Sequence, residues 1–293
     1  MNDLKLYQIK KGREILVALK RYGIMNRKTL QKVVPSIKHQ RNFRRTLESL
    51  CERQLIVKKY DTVFGITGIF YQLNQRPRIR EMLAHYLDCE AEHVKQRQYN
   101  YKELFHEQIS ALIAYDLNKN FPEALVLRDF ELARSLEAQK VIPHLNLFDQ
   151  PKPDVLLLVP SLTNGRIISV AIEFERTAKS KDRILHKLKY YTANTHIDGV
   201  IYICSKNRII NNLNEIYDSK VLERAVRIKH YGKNFLLTSV FANDVEKSLN
   251  QLRNQNNFYY PLTDYIINLK QYSNADRRDH HFEQRPTVCV DEN

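Results

Sequence analysis

No stretch of this 293-residue chain is apolar for long enough to cross a bilayer: the richest run, "VLLLVP" at 155–160, is far too short for a spanning helix of about twenty residues. The opening "MNDLKLYQIKKGRE" lacks the basic-then-apolar layout of a signal peptide. Cysteine is scarce: Cys51, Cys89, Cys204 and Cys289 are scattered without disulfide or metal-ligand spacing. They read as reduced thiols, which points to the cytoplasm. Internal repeats and low-complexity segments are missing too, which leaves an ordinary globular chain with 43% hydrophobic residues. The remaining shortage is of negative charge, 33 Asp and Glu against 47 Lys and Arg, a net +14.

The imbalance is concentrated. Residues 1–75 carry sixteen Lys/Arg and five Asp/Glu, a net +11, which suits a polyanion, nucleic acid first and an anionic membrane surface second. The patterning there predicts three helices and a hairpin. "REILVALKRYG" places Ile15, Leu16, Leu19 and Tyr22 at helical spacing and ends on Gly23. "NRKTLQKVV" has Asn26 as N-cap and closes before Pro35. "SIKHQRNFRRTLESLCERQLI" is the third helix, capped by Ser36, with Phe43, Leu47, Leu50 and Cys51 inward. "IVKKYD" and "GIFYQLN" alternate as two strands. That order is the winged helix-turn-helix arrangement, predicted for 1–75. Lys38, Arg41, Asn42 and Arg45 form an outward stripe on the third helix, suited to a major groove, with Lys58 and Lys59 on the hairpin set to meet phosphates. The plainer reading is a solvated face or a protein-contact module; the concentration of charge favours double-stranded DNA. A connecting helix is predicted over 76–98 with Ile79, Met82, Leu83, Tyr86 and Leu87 on its packed side, and a polar, flexible tail over 274–293 holds His280 and His281.

Residues 99–273 predict an α/β domain with a mixed sheet. "KELFHEQISALIAYDLNKN" reads as an amphipathic helix, followed by "ALVLRDFELAR". Two strand-like runs then flank "TNG", a hairpin signal. A helix "KSKDRILHKLKYYTAN" follows, with Ile184, Leu185, Leu188 and Tyr191 on one side. Next come a strand "GVIYICS", a helix around Asn212 to Glu223, a strand "FLLTSVFAND" and a helix "VEKSLNQLRN". The second hairpin strand contains "AIEFER", where Glu173 and Glu175 are two apart and share a face. Counting outward from an Asn164-Gly165 turn sets Asp154 opposite Glu175 and diagonal to Glu173, about 4.5–5.5 Å and 7–8 Å between Cβ atoms. Three converging carboxylates call for a hard divalent ion, Mg²⁺ or Mn²⁺, which would polarise a phosphodiester and activate water. The plainer alternative pairs Glu173 and Glu175 with Arg176, Lys179 or Lys187 on an edge strand.

"KPD", eighteen intervening residues and "EFE", followed by a Lys-containing helix, resembles the PD-(D/E)xK nucleases of restriction-endonuclease-like fold. Pro153-Asp154 stands at the "PD" and Glu173 at the acidic position, while Glu175 replaces the motif lysine. The resemblance implies that the lysine has moved to the neighbouring helix, as Lys187 or secondarily Lys189, to orient or activate water. The wider layout is similar to the replication-relaxation family and the MobC/TraX-type plasmid mobilisation relaxases. It comprises the basic module, His106 in "LFHEQ", Pro153-Asp154, "EFERT" at 173–177, and Lys187-Leu188 with Tyr191, spanning roughly residues 10 to 205. The similarity implies a metal-dependent relaxase that nicks one strand at an origin of transfer by hydrolysis, alongside accessory mobilisation and coupling proteins. Asp154, Glu173 and Glu175 would hold the metal. His106 or Glu107 would complete its shell or bind phosphate. Arg176 and Thr177 would hold the scissile phosphate, or else form a salt bridge and a helix cap. No HUH motif is evident, and Tyr191, beside Tyr190, reads as packing or a phosphate contact. The rival readings are a winged-helix replication or transcription regulator with an inactive nuclease-like domain, and a transposase-type end-nuclease.

Overall fold

The computed structural model describes residues 3–61, 68–96, 99, 103–132, 134–142, 151–160, 167–193, 196–217, 236–239, 252–253 and 259–260. The chain is mixed α/β with two sheets, the class the sequence predicts. It divides into two units: Met1–Pro122 with Val126–Leu136 and Lys152–Val155, and Glu123–Leu125 with Glu137–Pro151 and Leu156–Asn293.

The first unit opens with α1 (Asp3–Tyr22), which buries Ile15, Leu16, Leu19 and Tyr22. Gly23 ends it at φ 85, a left-handed conformation that favours glycine, and donates its N–H to the Leu19 carbonyl at 3.0 Å. β1 (Met25–Asn26) follows, too short to leave a periodic signal in the sequence. Asn26 caps α2 (Arg27–Val33), its side chain accepting from the Thr29 N–H at 2.8 Å, as expected. α3 (Gln40–Glu52) buries Phe43, Leu47 and Leu50. It starts later than expected. Ser36 does not cap it, because its hydroxyl donates to Glu14 and Ile37 is drawn into the core in a non-helical stretch. Lys38 therefore precedes the helix rather than lying on its stripe. β2 (Ile56–Asp61) and β3 (Gly68–Leu73) form the expected antiparallel hairpin, and β1 joins β3, in the order β1-β3-β2.

The connecting helix is shorter than expected. α4 (Pro77–Leu87) stops at Asp88, whose left-handed backbone (φ 54, ψ 58) returns its N–H to the last turn. One further turn, α5 (Ala91–Val94), stands before 97–98, which lie outside the described residues. α6 (Leu104–Asn120) is not the one-faced helix its sequence predicts. Leu104, Glu107, Ile109, Ser110, Ala111, Ile113, Ala114, Asp116 and Leu117 are all buried, so it is enclosed on most sides. Leu104 shares a core with Ile24, Phe70 and Tyr99. "ALVLRDFELAR" resolves into β4 (Leu125–Arg128) and a single turn, α7 (Asp129–Leu132). The sequence reading missed a short helix, α8 (Leu136–Val141).

In the second unit β5 (Val155–Pro160), β6 (Ile167–Glu175) and β7 (Gly199–Cys204) are almost wholly buried. β6 pairs parallel with β7, and β7 with β8 (Leu236–Ser239); β8 with β9 (Leu252–Arg253), and β9 with β10 (Tyr259–Tyr260), run antiparallel. Parallel strands read as continuous apolar runs because both faces are covered. α9 (Lys181–Ala193) lies where expected and buries Ile184, Leu188 and Tyr191. α10 (Asn207–Tyr217) starts earlier than the predicted Asn212, because Ile209, Ile210, Leu213 and Ile216 form one apolar stripe beginning before it. Leu252 and Arg253 pair as a strand instead of ending a helix; their ladder partners Thr238, Tyr259 and Tyr260 take their backbone groups. The Asn164-Gly165 turn, Cys289, the 274–293 tail and most of "VEKSLNQLRN" lie outside the described residues.

Candidate functional site

Among the described residues, the candidate side chains and their partners gather in three places, two in the first unit and one in the second.

The first is the outward side of α3. Arg41, Asn42, Arg44 and Arg45 are exposed on it, Lys38 is exposed just before it, and Lys58 is exposed on β2 with Lys59 partly covered. Arg44 donates from Nε to Glu48 Oε1 at 2.8 Å.

The second is centred on Arg128, which the sequence reading missed. Its side chain is 1% exposed, and every polar edge is used. Nη2 donates to Glu107 Oε2 at 2.7 Å, Nε to the Asp154 carbonyl at 3.4 Å, and Nη1 to the Tyr22 carbonyl. Next to that carbonyl Gly23 is packed closely: at its positive φ a Cβ would lie 2.9 Å from the Tyr99 hydroxyl and 3.2 Å from a Phe130 ring carbon. Asp129 places Oδ1 3.8 Å from Arg128 Nη2 and donates its own N–H to the Asp154 carbonyl at 3.3 Å. The main chain of Asp154 is thus pinned, and its side chain meets His106, with Nε2 to Oδ2 at 3.2 Å. His106 Nδ1 stands 3.7 Å from Glu107 Oε1. Burial works against a charged imidazole, but the Asp154 carboxylate, by charge and hydrogen bond, and then Glu107 outweigh it and lift the His106 pKa to about 10. Glu131 completes the group. It accepts the Arg128 backbone N–H at 2.9 Å, the reach-back bond of a third helical residue to its N-terminus. Burial pushes its carboxyl up to about 7 against the pull of that hydrogen bond and the Arg128 charge. The sequence signal for this cluster was a charged residue closing an apolar strand and followed by two acids, Asp129 and Glu131.

The third answers the charge problem of "AIEFER". Glu173 and Glu175 both lie inside, 0% and 5% exposed, as strand alternation predicts. Lys187 and Tyr191 are one helical turn apart on α9 and meet Glu173 together. Lys187 Nζ donates to Oε2 at 2.6 Å, and the Tyr191 hydroxyl donates to Oε1. Tyr191 packs as expected, and in addition its hydroxyl holds the carboxylate. Glu175 Oε2 lies 3.9 Å from Lys179 Nζ. Its strand neighbour in the parallel register is Cys204, whose thiol pKa is driven up by burial and then by Glu175. Arg176 offers its carbonyl to the Ser205 hydroxyl at 2.6 Å, and Thr177 is exposed. Protein cations meet both glutamates, Lys187 at Glu173 and Lys179 at Glu175, as the plainer reading anticipates, but β6 lies between β7 and β5 instead of on an edge.

Carboxylate oxygens are the donors Mg²⁺ or Mn²⁺ prefers. Asp154 belongs to the first unit and Glu173 and Glu175 to the second, and each faces a protein cation. Among the described residues no group of three or more His, Cys, Asp or Glu side chains is placed to hold a metal ion. The metal set therefore does not close within either unit. No helix among the described residues is long and apolar enough to cross a membrane. No family model, curated protein or solved structure matches the chain, so the site stands on its own geometry.

Proposed function

We propose that the chain binds double-stranded DNA through a winged-helix module, with α3 in the major groove and β2 against the backbone. The observation that carries this reading is the outward side of α3, where Arg41, Asn42 and Arg45 are exposed while Phe43, Leu47 and Leu50 anchor the helix from behind. The order α1-β1-α2-α3-β2-β3 and the three-stranded β1-β3-β2 sheet support it. Arg and Asn supply the bidentate donors that guanine and adenine accept in that groove. A mobility-shift titration tests it: affinity should fall steeply with salt as phosphate contacts release counterions. Salt-insensitive binding, or none, would sink it.

A second reading is favoured by the part-buried Glu173–Lys187 pair: the DNA-bound chain nicks one strand, as a plasmid mobilisation relaxase would at an origin of transfer. A lysine 2.6 Å from the carboxylate is suited to orienting water beside it. Asp154, Glu173 and Glu175, with Glu107 or His106, remain the proposed Mg²⁺ or Mn²⁺ ligands on this reading, and no step is routed through the ion. A cytoplasmic location and accessory mobilisation and coupling proteins as partners belong to the same proposal. Purified protein is incubated with supercoiled plasmids, with and without a candidate origin, in Mg²⁺, Mn²⁺ or EDTA. Open circles that need the metal and the origin support nicking. Binding without cleavage leaves a DNA-binding regulator with an inactive second domain.

A further inference from the structure

α3 carries its charges in the order that works against the helix. Its first two turns hold Arg41, Arg44 and Arg45, and its later turns hold Glu48 and Glu52, with no acid in the first turn and no base in the last. A helix is stabilised by acids near its N-terminus and bases near its C-terminus. The i,i+4 pair is also reversed, since the acid-first order is the better one. Helix stability therefore does not explain these residues. All three arginines are exposed, so packing does not explain them either. Glu48 is the focus: Arg44 donates to it at 2.8 Å with side chains 68% and 44% exposed. Its carboxyl is held below the usual range by that hydrogen bond first, and by the charges of Arg44, Lys58 and Arg45. One carboxylate thus holds an exposed arginine of α3 on the surface proposed to meet DNA.

We propose that Glu48 is an intramolecular stand-in for a DNA phosphate: it occupies Arg44 until DNA displaces it, which weakens binding to duplexes that offer no base contacts. The inference rests on the DNA-binding reading. A phosphate contact with Arg44 then replaces an existing ion pair instead of adding a new one, so the net gain on unselected DNA is small. Base contacts made by Arg41, Asn42 or Arg45 carry no such handicap from a directly bonded acid. Glu48 in this account is a specificity residue that acts by opposing the wrong complex.

The test uses the full chain and a labelled mixed-sequence duplex, with anisotropy titrations across a series of salt concentrations. Glu48→Gln keeps the shape and removes the charge. It should bind this duplex about tenfold tighter, with a salt slope steeper by about one released counterion. Adding Arg44→Ala to Glu48→Gln should cancel most of the gain, while Arg44→Ala alone should cost little, because in the wild type the arginine is already engaged. Unchanged affinity and slope in Glu48→Gln would overturn the proposal and leave the DNA-binding reading intact. Weaker binding by Glu48→Gln would overturn it as well, and would make Glu48 a direct contact, such as an acceptor for the cytosine amino group. Failure of both wild type and variant to bind at low salt would remove the DNA-binding reading and this inference together.

Discussion

Arg128 and Glu107 are each 1% exposed and bonded at 2.7 Å, and a buried pair of this kind costs most when only one partner is removed. Arg128→Met should lower stability by about 3–5 kcal/mol, because it takes the directly bonded guanidinium away from the buried Glu107 carboxylate. Arg128→Met with Glu107→Leu should recover much of the loss; urea unfolding of the three proteins checks the order. Glu173 makes a smaller case. Glu173→Ala leaves the Tyr191 hydroxyl buried without its acceptor and should cost about 1–3 kcal/mol; Lys187, 19% exposed, can turn toward water. If repulsion among the carboxylates prevailed without metal, the same variant would instead gain stability, so melting curves with and without Mn²⁺ separate the two accounts. Protonation adds a third expectation. The His106 pKa is raised to about 10, so its contribution is complete below its ordinary value of about 6.5 and is lost as pH rises through about 10. Glu131, raised to about 7, acts with the same sign at lower pH: its contribution is complete below about 4.3 and gone above 7. Stability should decline in two limbs, the acid one flattened by Glu131→Gln and the alkaline one by His106→Gln. A rise in stability from pH 5 to pH 7 that survives unchanged in Glu131→Gln would contradict the assignment.

At the scale of elements, α3 yields the most direct binding test. Arg41→Ala or Arg45→Ala should weaken DNA binding by about 1–3 kcal/mol where the arginine makes a bidentate base contact, read by titration against a selected duplex. Lys38→Ala should act more weakly and without altering sequence preference, since Lys38 lies ahead of the helix. The same element marks what a sequence can and cannot disclose. Asn26 and Gly23 were legible as a cap and a stop because their signals are local, a side-chain acceptor and a left-handed backbone. α9 was legible because its buried positions keep the helical period. The late start of α3 was not, because Ser36 spends its hydroxyl on a residue of α1. α6 misled in the opposite way: enclosure on most sides erases the polar face that periodicity relies on. Of the candidate site, the shared face of Glu173 and Glu175 was legible from alternation, but which of Arg176, Lys179 and Lys187 would meet Glu173 was not. Arg128 was hidden because its partners are Tyr22, Glu107 and Asp154, the first of them 106 residues away, and nothing local announces a contact at that range.

For the whole molecule the decisive measurement is strand nicking. On the proposed nicking reading, Asp154→Ala, Glu173→Ala and Lys187→Ala should each abolish metal-dependent nicking of supercoiled plasmid while leaving salt-dependent duplex binding within about threefold, since that reading gives recognition to α3. Loss of binding in step with loss of nicking would instead tie these residues to DNA affinity. The division into units has its own consequence. The first unit is assembled from separated pieces, and its last piece is Lys152–Val155, so it cannot be completed by any shorter leading part of the chain. Synthesis is a vectorial process, proceeding from the N-terminus at about 5–20 residues per second. Arg128 follows Glu107 by 21 residues, so on the ribosome the carboxylate waits roughly 1–4 s for the guanidinium that will neutralise it. Docking α6 before then would bury the Glu107 carboxylate ahead of the guanidinium it bonds, a cost that favours late closure of the first unit.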